Sequence, residues 1–521
     1  MAERAQPLGA TGAIGIAAAA AIPLLILLAT VAIIRVAEPG SGLARADWAA
    51  IRFTLWQAFL SATFSVALAV PVARALARRR FPGRGALVTL LGAPFLLPVI
   101  VAIFGLLAVF GRGGLVNAGL GMMGLPQISI YGLHGVVLAH VFFNLPLATR
   151  LVLQGWHEIP SERFRLAASL GMDASAVNRH LEWPMLRQVV PGAALVIFVL
   201  CTMSFAVALT LGGGPRATTV ELAIYQALRF EFDLDRAAFL SLIQLAITVF
   251  LALLAYRVLR HAGFAHGLDR PMMRWDGRTP VLKLLDGILI LFAALFLLVP
   301  IASAVARGLP EVLGLPQAVW VSALRSLGVA GASTVIVVAL SVVMALAATR
   351  LKSQGGWIET AGLTALAASP LVLGTGLFVL IHPVANPEAL ALPVTALVNA
   401  FVTLPFALRS LVPACRTIES EYGRLADTLG LHGWVRLRLV VLPRLRRPLG
   451  FSAGLAAALS MGDLGVIALF ADPDTATLPL QVYRLMGAYR MEEAGGAAVL
   501  LLALSFGVFW ILDRGARRAD A

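Results

Sequence analysis

Ile159–Arg187 reads IPSERFRLAASLGMDASAVNRHLEWPMLR, and Ile418–Arg446 reads IESEYGRLADTLGLHGWVRLRLVVLPRLR. The two align without a gap at an offset of about 259 residues, with about twelve of the twenty-nine positions identical. Arg165, Leu166, Ala167, Leu170, Gly171 and Pro184 recur as Arg424, Leu425, Ala426, Leu429, Gly430 and Pro443. Upstream, Leu145-Pro146 and Arg150 recur at the same offset as Leu404-Pro405 and Arg409. Self-similarity at one long fixed offset marks a duplicated unit. The chain is read as two copies in tandem.

Composition sets the environment of both copies. Of 521 residues, 60% are hydrophobic and 13% charged, and mean hydropathy is +0.89. Globular domains carry about 25% charged residues, so a chain this apolar must keep most of its surface in lipid. About twelve apolar stretches approach the ~20 residues a spanning helix needs. They are expected near 13–35, 53–76, 86–110, 131–154, 189–213 and 237–259, then near 282–305, 323–348, 357–382, 391–413, 448–471 and 494–513. The expected fold is an all-α integral membrane protein of two tandem six-helix halves. Its parts are an N-terminal helix (1–47), a first transmembrane domain (48–260), a basic linker with a seventh span (261–319), a second transmembrane domain (320–514) and a tail (515–521). The first span could be confused with a signal peptide, but its long apolar run and the spans after it favour a retained helix.

The formal net charge is +14, yet the arginines cluster between apolar spans, which points to short cytoplasmic loops and not to nucleic acid. With the amino terminus inside, cytoplasmic segments collect about 30 Lys and Arg against about 11 outside. Arg78-Arg79-Arg80, Arg257, Arg260, Arg270, Arg274, Arg278, Arg444, Arg446, Arg447, Arg514, Arg517 and Arg518 all fall inside, as do both repeated motifs. Gly212–Arg236 and Asp472–Glu493, with acids and turn formers, are the long outer loops. Cys201 and Cys415 read as packing residues.

Within each motif, apolar residues at helical spacing predict a short amphipathic helix. Gly171 and Gly430 stand where a left-handed cap would end it, and Pro184 and Pro443 suit the first turn of the next helix. Two such knobs related by pseudo-symmetry call for a two-fold partner. Here the sequence resembles the signature loop of type I ABC importer permeases, in which Glu-Ala-Ala is followed by Gly and later Leu-Pro. Arg165-Leu166-Ala167 and Arg424-Leu425-Ala426 stand where that family has Glu-Ala-Ala, while the glycines and prolines match. The resemblance covers about 48–260 and 320–514. It implies that each loop is a coupling helix docking into one subunit of an ATPase dimer. It also implies that a periplasmic binding protein delivers substrate to the outer loops, and that ATP and Mg belong to the ATPase. Ser204–Asp233 and the segment around the first motif resemble permeases for thiamine and thiamine diphosphate; fused ferric-iron permeases share the layout.

The chain itself has no P-loop: its only lysines, Lys283 and Lys352, follow leucine and not glycine. Neither a metalloprotease HExxH nor paired CxxC occurs. No catalytic residue, cofactor or metal site is expected. Polar groups within spans are expensive in hydrocarbon and mark either a pathway or inter-helix bonds. Asp463, placed mid-span, reads as either a lining for a cationic solute or a carboxyl bonded between helices. His140 and Asn399 are equivalent by the repeat and suggest inter-helix contacts near the pseudo-axis. Asn144, with Thr403 as its repeat partner, sits at a possible kink before Pro146.

Overall fold

The computed structural model describes residues 10–37, 43–92, 96–259, 274–277, 279–351, 355–366 and 369–518. Residues 260–273 and 278, among them Arg260, Arg270 and Arg278, and residues 519–521 of the tail lie outside them. The described residues form helices and no strand. Eleven of these helices are long and apolar enough to cross a bilayer. The chain is a multi-pass membrane protein.

The first half comprises α1 (Ala10–Val36), α2 (Arg45–Arg78), α3 (Arg84–Leu90), α4 (Val99–Phe110), α5 (Leu115–Met122), α6 (Leu133–Glu158), α7 (Ser161–Ser169), α8 (Ala174–Val177), α9 (Trp183–Thr202), α10 (Phe205–Leu211), α11 (Val220–Gln226) and α12 (Leu234–Leu259). The second comprises α13 (Pro280–Gly308), α14 (Gln317–Arg350), α15 (Gly356–Leu363), α16 (Pro370–Ile381), α17 (Ala391–Thr428), α18 (Gly433–Arg436), α19 (Leu442–Met461), α20 (Gly465–Phe470), α21 (Leu478–Gly487) and α22 (Met491–Arg518). The duplication runs helix by helix. Paired α2 and α14 are both 34 residues long, α4 and α16 both 12, and α9 and α19 both 20. The first half inserts α5 where the second has only a 3-10 turn, Glu388–Leu390, so helices before this point pair at a larger offset than the motifs do.

Several expected spans are broken. The stretch 86–110 divides into α3 and α4 because Pro98 caps α4, and a proline keeps the residue before it out of helical conformation. Likewise 357–382 divides into α15 and α16, with Pro370 in the first turn of α16. The stretches 189–213 and 448–471 break after Thr202 and Met461. Conversely, 391–413 runs on through the second motif as the 38-residue α17. Pro160 separates α6 from α7 in the first copy, whereas its repeat equivalent, Glu419, leaves α17 unbroken.

The two helices that precede the repeats are exchanged. α1 packs mainly on α14 and α16 of the second half, and α13 packs on α2 and α4 of the first as well as on α22. Glycines at equivalent positions admit them. A Cβ on Gly105 would stand 2.5 Å from the Pro300 carbonyl oxygen of α13, and one on Gly376 would stand 2.7 Å from Ala29 Cβ of α1. Small residues let helices approach this closely in lipid, where packing and not hydrophobic exclusion drives association.

The expected outer loops are largely folded inward. Val220–Tyr225 are buried, as are most of the equivalent residues from Leu478 to Leu485. The first amides of these short helices meet hydroxyls on the long helices. Val220 N–H donates to Thr54 Oγ1 (2.9 Å), and Leu478 N–H donates to Ser326 Oγ (2.8 Å). Removing either hydroxyl strands a buried amide, at a cost of about 1–3 kcal/mol. Thr54→Val and Ser326→Ala should therefore each lower the thermal unfolding transition of the detergent-solubilised chain. Thr30→Val, which removes only a hydroxyl bonded to its own helix at Ile26, should leave the transition close to wild type.

Candidate functional site

Both motifs lie at one end of the bundle and share one backbone solution. In the first, Gly171 adopts φ +68°, the Met172 amide donates back to the Ala167 carbonyl (3.0 Å) and the Gly171 amide to Ala168 (3.1 Å). In the second, Gly430 adopts φ +65°, with Leu431 donating to Ala426 (2.9 Å) and Gly430 to Asp427 (3.1 Å). This is the Schellman ending, in which a left-handed residue lets the chain turn and satisfy its last carbonyls. Ala167 and Ala426 are buried beneath the helix, while Leu166, Leu170, Leu425 and Leu429 are 56–63% exposed. Each helix thus presents two leucines at i, i+4 spacing, flanked by the exposed Arg165 and Arg424.

Pro184 and Pro443 fall in the first turn of α9 and α19, as expected, but neither helix starts afresh there. The helices after the bends begin at Ala174 and Gly433, and each passes through a π turn, Asn178–Glu182 or Leu437–Val441, before reaching its proline. Proline cannot donate to the carbonyl one turn back and its ring crowds that group. The π turn is the local adjustment that accommodates such a break in the ladder.

Beneath the shared turn the two knobs are held by opposite charge arrangements. Under the first, Glu182 is fully buried in the π turn and accepts from Trp156 Nε1 (3.2 Å) and Arg274 Nη2 (2.7 Å), with Arg74 Nη2 at 2.6 Å. Arg274 also pairs with Asp276 (2.6 Å), which Arg78 approaches at 3.3 Å. The end of the inter-half linker is therefore clamped onto the motif. Arg274 lies 4.3 Å from the Phe164 ring centre, and Trp275 Nε1 donates to the Met172 carbonyl (3.2 Å). Burial alone would push the Asp276 carboxyl up, but Arg274, and then Arg78, hold it below its ordinary value. Under the second knob a buried arginine takes the central place. Arg436 reaches Asp427 (2.6 Å) and Glu419 (2.7 Å), both of them more exposed. Repeat alignment gives no hint of either cluster, because Glu182 pairs with Val441 and Arg436 with Val177. The one sequence signal is the Arg-Trp-Asp run at 274–276 in an otherwise basic linker.

The remaining candidates lie in the spans. His140 Nδ1 meets Ser61 Oγ on α2 (3.2 Å), and Asn399 Nδ2 donates to Ser460 Oγ on α19 (3.1 Å). These are inter-helix contacts, each within its own half. Asn144 Nδ2 donates to Cys201 Sγ (3.3 Å), while Thr403 bonds the Asn399 carbonyl (2.8 Å). Asp463 is not mid-helix: it occupies the break between α19 and α20, and Ser204 occupies the equivalent break between α9 and α10. Two glutamines that sequence reading passed over secure the first break. Gln57 Nε2 donates to the Cys201 carbonyl (2.8 Å) and Gln244 Nε2 to the Thr202 carbonyl (3.0 Å), taking up the final carbonyls of α9. The breaks meet partners from the opposite half. A Cβ on Gly462 would lie 3.2 Å from Pro98 Cα, and one on Gly465 would lie 3.7 Å from the Phe205 ring.

Two halves repeated helix by helix, interlocked by exchanged helices and each presenting the same capped helix at one end, define a membrane translocation subunit of the two-half permease class. The curated relatives carry this further. The chain is 43% identical over 481 residues to the thiamine transport system permease protein ThiP of Salmonella typhimurium, covering 90% of this chain and 89% of the relative. It is 42% identical over 480 residues to the protein of that name from Escherichia coli (90% and 89%) and 40% identical over 476 residues to that of Brucella abortus (90% and 88%). No family model matches the chain. The chain belongs to the thiamine transport system permease family.

The asymmetry of the clamps has a measurable consequence. Glu182→Ala leaves Arg74, Arg78 and Arg274 crowded at a buried site without their common acid, and should destabilise by about 3–5 kcal/mol. Arg436→Ala takes the arginine from two carboxylates that already reach solvent and should cost distinctly less. Thermal unfolding of the two variants in detergent, side by side, checks the order.

Proposed function

We propose that this chain is the translocation subunit of an ATP-driven importer of thiamine and its phosphate esters. It sits in the bacterial inner membrane with its amino terminus in the cytoplasm. The observation that carries the coupling role is the duplicated Schellman-ended helix with its exposed leucine pair, Leu166 and Leu170 in one half, Leu425 and Leu429 in the other. Lipid does not require the same turn twice. An ATPase dimer does, since its two subunits offer two equivalent clefts. The absence of a P-loop in the sequence puts ATP hydrolysis, with its ATP and Mg, on that separate dimer. The arginine-rich motif end faces the cytoplasm by the positive-inside rule. The opposite end receives substrate from a periplasmic binding protein. ATP binding closes the dimer, draws on both knobs and shifts the packing of one half against the other, a bistable element biased from a distance. Thiamine as cargo rests on the names of relatives that align over most of both chains.

The test is uptake of labelled thiamine into proteoliposomes holding this chain, its ATPase and its binding protein. Uptake should require ATP on the ATPase side and be competed by thiamine diphosphate, not by ferric iron. ATP turnover coupled to iron uptake instead would keep the architecture and change the cargo. A chain that recruits no ATPase would end the reading.

The knobs have their own test. Valine in place of both Gly171 and Gly430 should strain the left-handed turns by roughly 1 kcal/mol or more each. Uptake in the double variant should fall with normal abundance and membrane insertion. Normal uptake at normal abundance would remove the coupling role.

A further inference from the structure

The breaks in α9/α10 and α19/α20 are equivalent in backbone but not in chemistry. At the first stands Ser204, at the second Asp463. The first half shows that the fold can make this break with a small neutral residue, so backbone geometry does not call for a carboxylate. Placing one among apolar spans is costly unless it has a partner. Asp463 Oδ1 accepts from the Gly465 amide (3.2 Å), but Oδ2 is buried with no hydrogen-bond partner, and no cation pairs with it among the described residues.

A ring from the other half lies near this carboxylate, both of them beside Gly465. Gly465 puts no side chain of its own between them. A carbon there would lie 3.7 Å from Phe205 Cδ1, 3.8 Å from Asp463 Oδ1 and 4.0 Å from Leu371 Cδ1. One small group can thus touch an aromatic ring and a carboxylate oxygen together. Gly462, Asp463 and Gly465 are themselves partly accessible, although their neighbours Met461, Leu464 and Val466 are buried. The ring belongs to a file: Phe205 meets Tyr225 edge-on at 5.2 Å, and Tyr225 meets Phe230 at 5.5 Å. Phe230 is 68% exposed, whereas Tyr225 and Phe205 are buried, so the file runs from the surface inward to the break.

We propose that Asp463 and Phe205 form, between the two halves, a transient binding site for a flat organic cation during its passage. A carboxylate supplies charge, an aromatic ring supplies cation–π attraction, and Leu371 supplies an apolar wall. A hydrated inorganic ion would gain nothing from the ring file. The proposal rests on the reading of this chain as a translocation path, but not on thiamine being the cargo.

The first experiment probes the space without any cargo. In the full chain reconstituted with its ATPase and binding protein, Gly465→Cys places a thiol beside Phe205 and Asp463, its Cβ at ordinary contact distance from both. Two methanethiosulfonates of similar size are compared, one ending in trimethylammonium and one in sulfonate, with rates normalised to a free thiol and the unaltered chain as background. The cationic reagent should react faster by at least about tenfold, and Asp463→Asn added to Gly465→Cys should abolish that preference. A preference unchanged by Asp463→Asn, or no reaction with either reagent during turnover, overturns the proposal.

The second experiment compares cargo. Asp463→Asn should lower thiamine uptake about tenfold and leave uptake of deazathiamine, its uncharged analogue, unchanged. Equal loss of both would assign Asp463 a structural role and overturn the proposal. Asp463-dependent cationic labelling in a chain that moves no thiamine would uphold the site and sink the thiamine reading instead.

Discussion

A helix that begins or ends away from water must find partners for its free backbone groups, and the interior of this protein is organised around that need. Four helix ends within the bundle are secured by side chains. Gln57 and Gln244 take the last carbonyls of α9, Thr54 and Ser326 take the first amides of α11 and α21, and Ser369 caps α16 through Leu371 and Val372. In hydrocarbon an unpaired amide or carbonyl costs several kcal/mol, so these side chains make the breaks possible. The Ser369 hydroxyl also donates to the buried Glu221 of the first half, tying the cap to the inter-half contact. Broken helices in turn place irregular backbone at the meeting of the two halves, where it borders protein and not lipid.

The duplication is faithful where backbone geometry is at stake and loose where charge is. Both knobs end in the same left-handed glycine, and both following helices carry the same π turn before proline. Beneath them, one is pinned by a buried glutamate among arginines borrowed partly from the linker, the other by a buried arginine between two acids. Fusion of the halves makes the first arrangement possible, because Arg274, Trp275 and Asp276 exist only once. The two knobs are alike in shape and unlike in attachment. The helix leading into each knob also differs, since α6 and α7 are broken at Pro160 whereas α17 runs on unbroken.

Much of this was legible in order. Hydropathy and the 259-residue echo determined that the chain is helical, spans a membrane and is built twice, because both signals are carried by residues close in sequence or repeated at one distance. The glycine turns were legible because only glycine is at ease at positive φ. Asp463 drew attention by its cost in an apolar run, though its break did not, since Gly462 and Asp463 give no stronger signal than many loop residues.

The tertiary structure alone decided where the spans are interrupted, which half each extra helix serves, and what the polar residues touch. Hydropathy averages over a window and cannot separate one span from two short helices meeting at Pro98 or Pro370. Nor can local pattern reveal that α1 lies on α14, that Arg274 returns to Glu182, or that Phe205 and Asp463 both lie beside Gly465. Those pairings join residues tens to hundreds of positions apart, and they depend on complementary shape and charge that exist only once the helices have packed. Sequence determined the helices and their number of copies; packing decided the path between them.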